Sequence, residues 1–261
     1  MIYSAIFVIG LFFGSFLNLI VDRLYSKETI LKGRSHCEFC KKNLEWFDLI
    51  PLLSFIILKG KCRYCHKKLS FYYPLVEVTT GILYVVSFLF VFGLNFQFTG
   101  INIQLLNFFY FLFLSSSFII IFFEDLKHGL IPEMVVYPTI LVSFVYLILN
   151  SQPISNYLLS GFGAFSFFLL LFLITKGKGM GFGDVILAFL LGLVLGFPKI
   201  ILALYIAFLT GAIFGLILIL WKKKRSLKET IPFGPFLIAG TLISLFLGYS
   251  IIPRVMLLLG F

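Results

Sequence analysis

Long apolar runs alternate with short polar ones along almost the whole chain. A helix that crosses a bilayer needs about 20 mostly apolar residues. On that rule the sequence predicts spans near 2–20, 75–93, 105–123, 134–150, 157–175, 184–198, 200–221 and 231–250. The fourth and sixth are short, and the Phe197-Pro198-Lys199 break makes the sixth and seventh a tight hairpin. Two intervals, 78–123 and 134–175, carry no Asp, Glu, Lys or Arg. Only one polar stretch, 21–73, is long enough to fold on its own. The expected fold class is therefore all-α, a polytopic membrane helix bundle of about eight spans. The expected domains are the first span (1–20), a small cytoplasmic domain (21–73) and a membrane domain (74–261).

Composition excludes a soluble fold. Hydrophobic residues make up 61% of 261 positions, charged residues only 12%, and 35 are Phe; a water-soluble chain of this length could not hide that much apolar surface. The first run has no basic residue before it and no small-residue cleavage site after it, so it reads as a retained span.

Charge adds a direction. A formal charge of +10 would suit nucleic acid, but here the basic residues flank apolar runs and report topology instead. Residues 21–73, 124–133, 176–183 and 222–230 hold nineteen of the 21 Lys and Arg. The other side keeps Lys199 and Arg254. The basic side is expected to be cytoplasmic, with both termini outside. The expected partner is the lipid bilayer, not nucleic acid.

All four cysteines lie in the polar stretch, as Cys37-Glu-Phe-Cys40 and Cys62-Arg-Tyr-Cys65. Two C-x2-C pairs at this separation can each form a knuckle and together close a tetrahedral zinc site. A reducing cytoplasm disfavours structural disulfides; a redox pair or inert thiols are the alternatives. Four protein ligands leave no open position, so the zinc would be structural. Lys41, Lys42, Lys59, Lys61, Arg63, Lys67 and Lys68 would offset thiolate charge. His36 and His66 adjoin cysteines, where each would hydrogen-bond to a ligand, replace one, or simply be solvated.

Two acidic residues stand out against the apolar background. Asp184 follows Gly181-Phe-Gly183 at the start of the sixth span, and Asp125 ends the third. A carboxylate at the lip of a membrane segment is costly to keep and is a functional candidate for that reason. Both fall on the basic side at similar depth, although the orientation came from basic residues alone. Two neighbouring carboxyls that share one proton can hydrolyse a peptide: the charged one takes a proton from water, and the neutral one polarises the carbonyl. Gly181 and Gly183 would let an extended peptide approach and would permit unusual dihedrals at a tight helix entry. The plainer readings are an N-cap for Asp184 and a boundary charge paired with Lys127 for Asp125. Glu124 rivals Asp125 from another helix face. The glycines at 177, 179, 181 and 183 do not form a nucleotide loop, since neither the P-loop Lys-Ser/Thr nor the dinucleotide spacing is present.

Several motifs in one order resemble a known family. They are Gly14-Ser-Phe-Leu-Asn18 with Arg23-Leu24, both cysteine pairs, Asp48-Leu-Ile-Pro-Leu-Leu-Ser54, and Lys59-Gly-Lys-Cys62. Then come Tyr73-Pro-Leu-Val-Glu77 with Gly81, Asp125 seven residues before Pro132, Gly181-Phe-Gly-Asp184, and Ile231-Pro-Phe-Gly-Pro-Phe236. Together they resemble the prepilin peptidases, the type IV leader peptidase family of G-x-G-D aspartic proteases in bacterial membranes. The resemblance implies cleavage, after a glycine, of the basic leader of prepilins and pseudopilins on the cytoplasmic side of the inner membrane. It places the catalytic pair at Asp125 and Asp184. It implies a second activity, N-methylation of the new N-terminal residue with S-adenosylmethionine as co-substrate, with Glu77 and Gly81 as candidates for that step. The family often has Lys two positions after the second Asp, where this chain has Ile186.

Other classes compete. A transporter with a carboxylate relay would carry its acids deep inside the spans. A zinc-stabilised scaffold would do no chemistry. A presenilin-like intramembrane protease would share G-x-G-D but not the cysteine block.

Overall fold

The computed structural model describes residues 1–26, 35–37, 39–93, 101–221 and 232–258. Nine α-helices appear among them: α1 (Ile2–Ser26), α2 (Leu53–Ile57), α3 (Tyr72–Phe92), α4 (Ile101–His128), α5 (Glu133–Leu149), α6 (Ile154–Thr175), α7 (Phe182–Leu195), α8 (Lys199–Trp221) and α9 (Gly234–Leu258). A short 3-10 turn covers Trp46–Leu49. Among the described residues β-pairing is limited to two isolated bridges, His36 with Asn43 and Lys61 with Lys68. The all-α expectation holds, and each of the eight expected spans is a helix. Six of them are long and apolar enough to cross a bilayer, while α5 and α7 are shorter. The basic run 222–230 and Ile231 lie outside the described residues.

The chain forms two compact units, Met1–Phe123 and Glu124–Phe261. In the first, α1 packs along α3. Glycine makes the approach possible. A Cβ on Gly10 would lie 2.6 Å from Gly81 Cα, and one on Gly14 would lie 2.6 Å from Glu77 Cα. Lipid offers no hydrophobic drive between spans, so close backbone contact and polar side chains hold such helices together. The polar tip of the Gly14–Asn18 stretch is used: Asn18 Nδ2 donates to the Tyr73 carbonyl at 3.1 Å. Between α3 and α4, the hydroxyls of Tyr84 and Ser116 meet at 2.8 Å and those of Ser87 and Ser115 at 3.2 Å. Ile6, Tyr84, Phe88 and Phe92 form the buried cluster around them.

In the second unit, α7 is the hub. It packs on α5, α6, α8 and α9. A helix apolar on every side belongs in an interior, and Val185, Leu187, Ala188, Leu190 and Leu191 are completely buried. Gly192 seats α7 on α6, where a Cβ would lie 2.5 Å from the Ser160 carbonyl oxygen. The helix differs from the expected 184–198 span. It starts at Phe182 and stops at Leu195, because Gly196 turns the chain with φ 65°. Its 14 residues reach only about 21 Å at 1.5 Å per residue, short of a hydrocarbon core of roughly 30 Å.

Candidate active site and metal centre

Asp125 sits in the last turns of α4. Gly129, with φ 67°, ends that helix and donates its N–H to the Asp125 carbonyl at 2.8 Å. The carboxylate is buried. Its Oδ2 accepts the Gly234 N–H at 2.9 Å, a bond between residues 109 positions apart. Gly234 opens α9, so the carboxylate meets the positive end of a helix, where unpaired N–H groups gather. Phe233, just before it, is fixed by ring contacts with Phe208 at 5.1 Å and Phe168 at 6.3 Å.

Asp184 is in the first turn of α7 and is also buried. It is the third residue of the helix, and Gly181 takes the cap position expected for it. Asp184 Oδ2 accepts the Gly181 N–H at 3.0 Å, while its own N–H donates to the Gly181 carbonyl at 3.2 Å. Its Oδ1 is buried without a hydrogen bond from any described residue. Such an atom is expensive to bury and is the natural acceptor for a water or a substrate N–H. Asp125 stands near enough for the two charges to act on one another. Thus α4, α7 and α9 bring together two acids, each with one oxygen pinned by a backbone N–H.

The two glycines before Asp184 behave differently. A Cβ on Gly183 would lie 2.9 Å from Ile131 Cβ, so this glycine admits the α4–α5 connection. Gly181 is open, its nearest such neighbours being Asp184 Oδ2 at 3.7 Å and the Gly183 nitrogen at 3.9 Å. Its dihedrals, φ −78° and ψ 158°, are ordinary extended backbone, so the unusual dihedrals expected here are not used. Positive φ occurs earlier, at Lys176 and Gly177. Glu124, the rival acid, stands beside His128 of its own helix, with Oε1 3.1 Å from Nδ1. Ile186 is buried in the α7 core.

Gly234 is the residue that sequence reasoning missed. It was part of a motif but had no role. The only local signal is a glycine wedged between Phe233 and Pro235. A Cβ there would lie 2.6 Å from Asp125 Oδ2. The obstructing atom is the tip of a side chain, so the fold can yield and the carboxylate moves. If Asp125 is a reacting group, Gly234→Ala is expected to lower the turnover number about a hundredfold, as a displacement of about an ångström can. The melting temperature and KM should stay close to wild type; steady-state kinetics beside a thermal scan checks this.

In the first unit the four cysteines converge. All are free thiols, and their sulfurs lie within 4.8 Å of one another, Cys37 and Cys65 being 3.9 Å apart. A tetrahedral zinc with Zn–S near 2.3 Å sets sulfurs about 3.8 Å apart, so the set fits a metal. The two halves repeat one geometry. The Cys37 N–H donates to the Lys42 carbonyl at 3.0 Å, and the Cys62 N–H to the Lys67 carbonyl at 2.9 Å. Lys41 and His66 take matching left-handed turns, φ 56° and 54°. The Lys67 backbone N–H lowers the Cys65 pKa, but burial and hydrogen bonds with Cys62, Cys40 and Cys37 outweigh it and push the thiol up to about 11. Thiols crowded like this need a cation to ionise together. Among the described residues neither His36 nor His66 joins the cluster. Lys42 and Lys67 lie over the rings of Tyr64 and Phe39, at 4.2 and 4.8 Å.

Glu77 and Gly81 have packing and bonding roles. Glu77 Oε2 accepts the Leu52 N–H at 2.9 Å. A Cβ on Gly81 would lie 2.8 Å from the Phe7 ring.

Comparison with known proteins finds relatives over most of the chain. Residues 8–91 match the bacterial peptidase A24 N-terminal domain, and residues 112–216 match the type IV leader peptidase family. A Bacillus subtilis protein named prepilin leader peptidase/N-methyltransferase is 32% identical over 95% of this chain and 96% of its own length. Proteins of the same name from Legionella pneumophila and Aeromonas salmonicida are 34% and 30% identical, over 94% and 95% of this chain and 92% of each of theirs. No solved structure matches the chain.

Proposed function

The chain belongs to the type IV leader peptidase family, and from that premise we propose that Asp125 and Asp184 form its peptidase centre, cutting the leader from prepilins or pseudopilins. The observation that carries this reading is the pair itself: two buried acids at separate helix ends in one compact unit, their charges within mutual reach. One carboxylate takes a proton from water, and the hydroxide adds to the scissile carbonyl carbon. The other carboxyl gives its proton to the carbonyl oxygen. Collapse of the tetrahedral species returns a proton to the leaving amine. Gly234 and Gly181 N–H groups hold one oxygen of each acid, leaving Asp184 Oδ1 for water or substrate. The open face of Gly181 suits the approach of an extended backbone.

A prepilin joins a basic leader to an apolar helix. Lying in the bilayer, that helix would leave the scissile bond at the face bearing the acids. The distribution of Lys and Arg supports a cytoplasmic position for that face and for the cysteine block.

The second activity is methyl transfer to the new N-terminal amine, with S-adenosylmethionine supplying an activated methyl group. Its support is the name carried by the relatives. Glu77 is a candidate in this step because it is a buried carboxylate linking α3 to the segment after the 3-10 turn. Gly81 would act through the close packing of α1 on α3. The cysteine cluster is proposed to hold one structural zinc.

The test is an assay on a leader-bearing pilin peptide in lipid, with and without S-adenosylmethionine, scored by mass. Loss of the leader in both arms and a gain of one methyl group only with the co-substrate are expected. An intact leader in both arms overturns the peptidase reading.

A further inference from the structure

Helix α2 leaves an apolar face uncovered. Leu53, Ile56 and Ile57 stand at positions i, i+3 and i+4, which is one stripe of a helix. All three are exposed, Ile56 by 68% and Ile57 by 72%. The other side of α2 is anchored. The Phe55 ring meets the Phe71 ring edge-on at 6.1 Å, and a Cβ on Gly60 would lie 3.1 Å from Phe55.

Its position is fixed relative to a membrane span. The Leu52 N–H, immediately before α2, donates to Glu77 Oε2 at 2.9 Å. Glu77 lies inside α3, five residues past Tyr72, or about 7.5 Å along the helix axis. Phe71, the residue before α3 and the partner of Phe55, is itself exposed. So α2 is tied at the level where α3 enters the bilayer. Exposed Lys59 and Lys61 follow α2 directly, placing positive charge where acidic headgroups lie.

We propose that α2 lies along the bilayer surface, with Leu53, Ile56 and Ile57 sunk at the boundary between headgroups and acyl chains. The cysteine block would then ride on the membrane instead of standing free in water. Lipid is the occupant because α2 is bonded to α3, a helix long and apolar enough to cross a bilayer, and because two exposed lysines follow it. In-plane helices with one apolar face and neighbouring basic residues bind in this way.

The chain has two tryptophans, Trp46 and Trp221. The full protein carrying Trp46→Phe and Trp221→Phe, with Ile56→Trp as its only tryptophan, is reconstituted into phosphatidylcholine–phosphatidylglycerol vesicles. Lipids brominated near the headgroup end of the acyl chain are expected to quench it strongly. Bromines near the methyl end should quench it several-fold less, and aqueous iodide hardly at all. Ile57→Trp reports the same face independently, and bound zinc confirms folding of either variant. Quenching by iodide but not by bromolipid would put the stripe in water and overturn the proposal. Protection from both quenchers would put a protein surface over it and overturn the proposal equally.

Discussion

Asp125→Asn and Asp184→Asn should each slow leader cleavage by about a hundredfold to ten-thousandfold, the range that a positioned acid or base contributes. Asparagine keeps the shape of aspartate and one acceptor oxygen, so the bonds from Gly234 and Gly181 can persist. What disappears is the ability to exchange a proton. Folding and metal content should therefore be unchanged. Methylation of a peptide supplied without its leader should also proceed, because the candidates for that step, Glu77 and Gly81, belong to the first unit. The double variant is expected to be little worse than either single one, since groups that act as a unit lose their effect together. The measurement is cleavage rate by mass, with methylation of a pre-cut peptide as the folding control. If either variant processes prepilin near the wild-type rate, the two acids do not share one water.

Replacing Cys37 and Cys40 by serine should release the metal and unfold the cysteine block. Among described residues between 35 and 70, only Cys37, Pro51 and Cys62 are buried. So small a core cannot hold a fold by apolar burial, whereas a structural zinc contributes an apparent 10–16 kcal/mol at neutral pH, as an order of magnitude. The helices of the second unit have their own core and should survive. Limited proteolysis is expected to cut the variant between residues 35 and 70 while the wild type resists. Metal analysis should fall from about one ion per chain to none, as a closed four-thiolate site requires. Acid should imitate the mutation. The free Cys65 thiol is held at about 11, so metal binding displaces protons and affinity falls as pH is lowered.

The helices were legible because the length of an apolar run maps directly onto a membrane span. The cysteine cluster was legible because its spacing is local: each knuckle closes within six residues, and only the meeting of the two halves is long-range. The short α2 was not legible, since five residues carry no period. Glu77 was singled out for chemistry, yet its bond to Leu52 crosses 25 positions and nothing near either residue announces it. Gly234 is the same case at greater distance. The sixth span was expected to begin at Asp184, but the helix begins two residues earlier, at Phe182, behind a glycine cap that lends Asp184 its N–H. Sequence pattern identified the acids; the backbone donors that orient them emerge only when remote segments meet.

The shortness of α7 bears on the proposed hydrolysis. Hydrolysis at the edge of a membrane invites solvent inward, and a continuous wet path would leak the proton gradient. If Asp184 works there, a short central helix reduces the distance that water must travel to reach it. Beyond that acid, nine further buried residues from Val185 to Leu195 carry no titratable group. Water drawn to the acid would then meet an apolar stretch past it, and the bilayer would stay sealed.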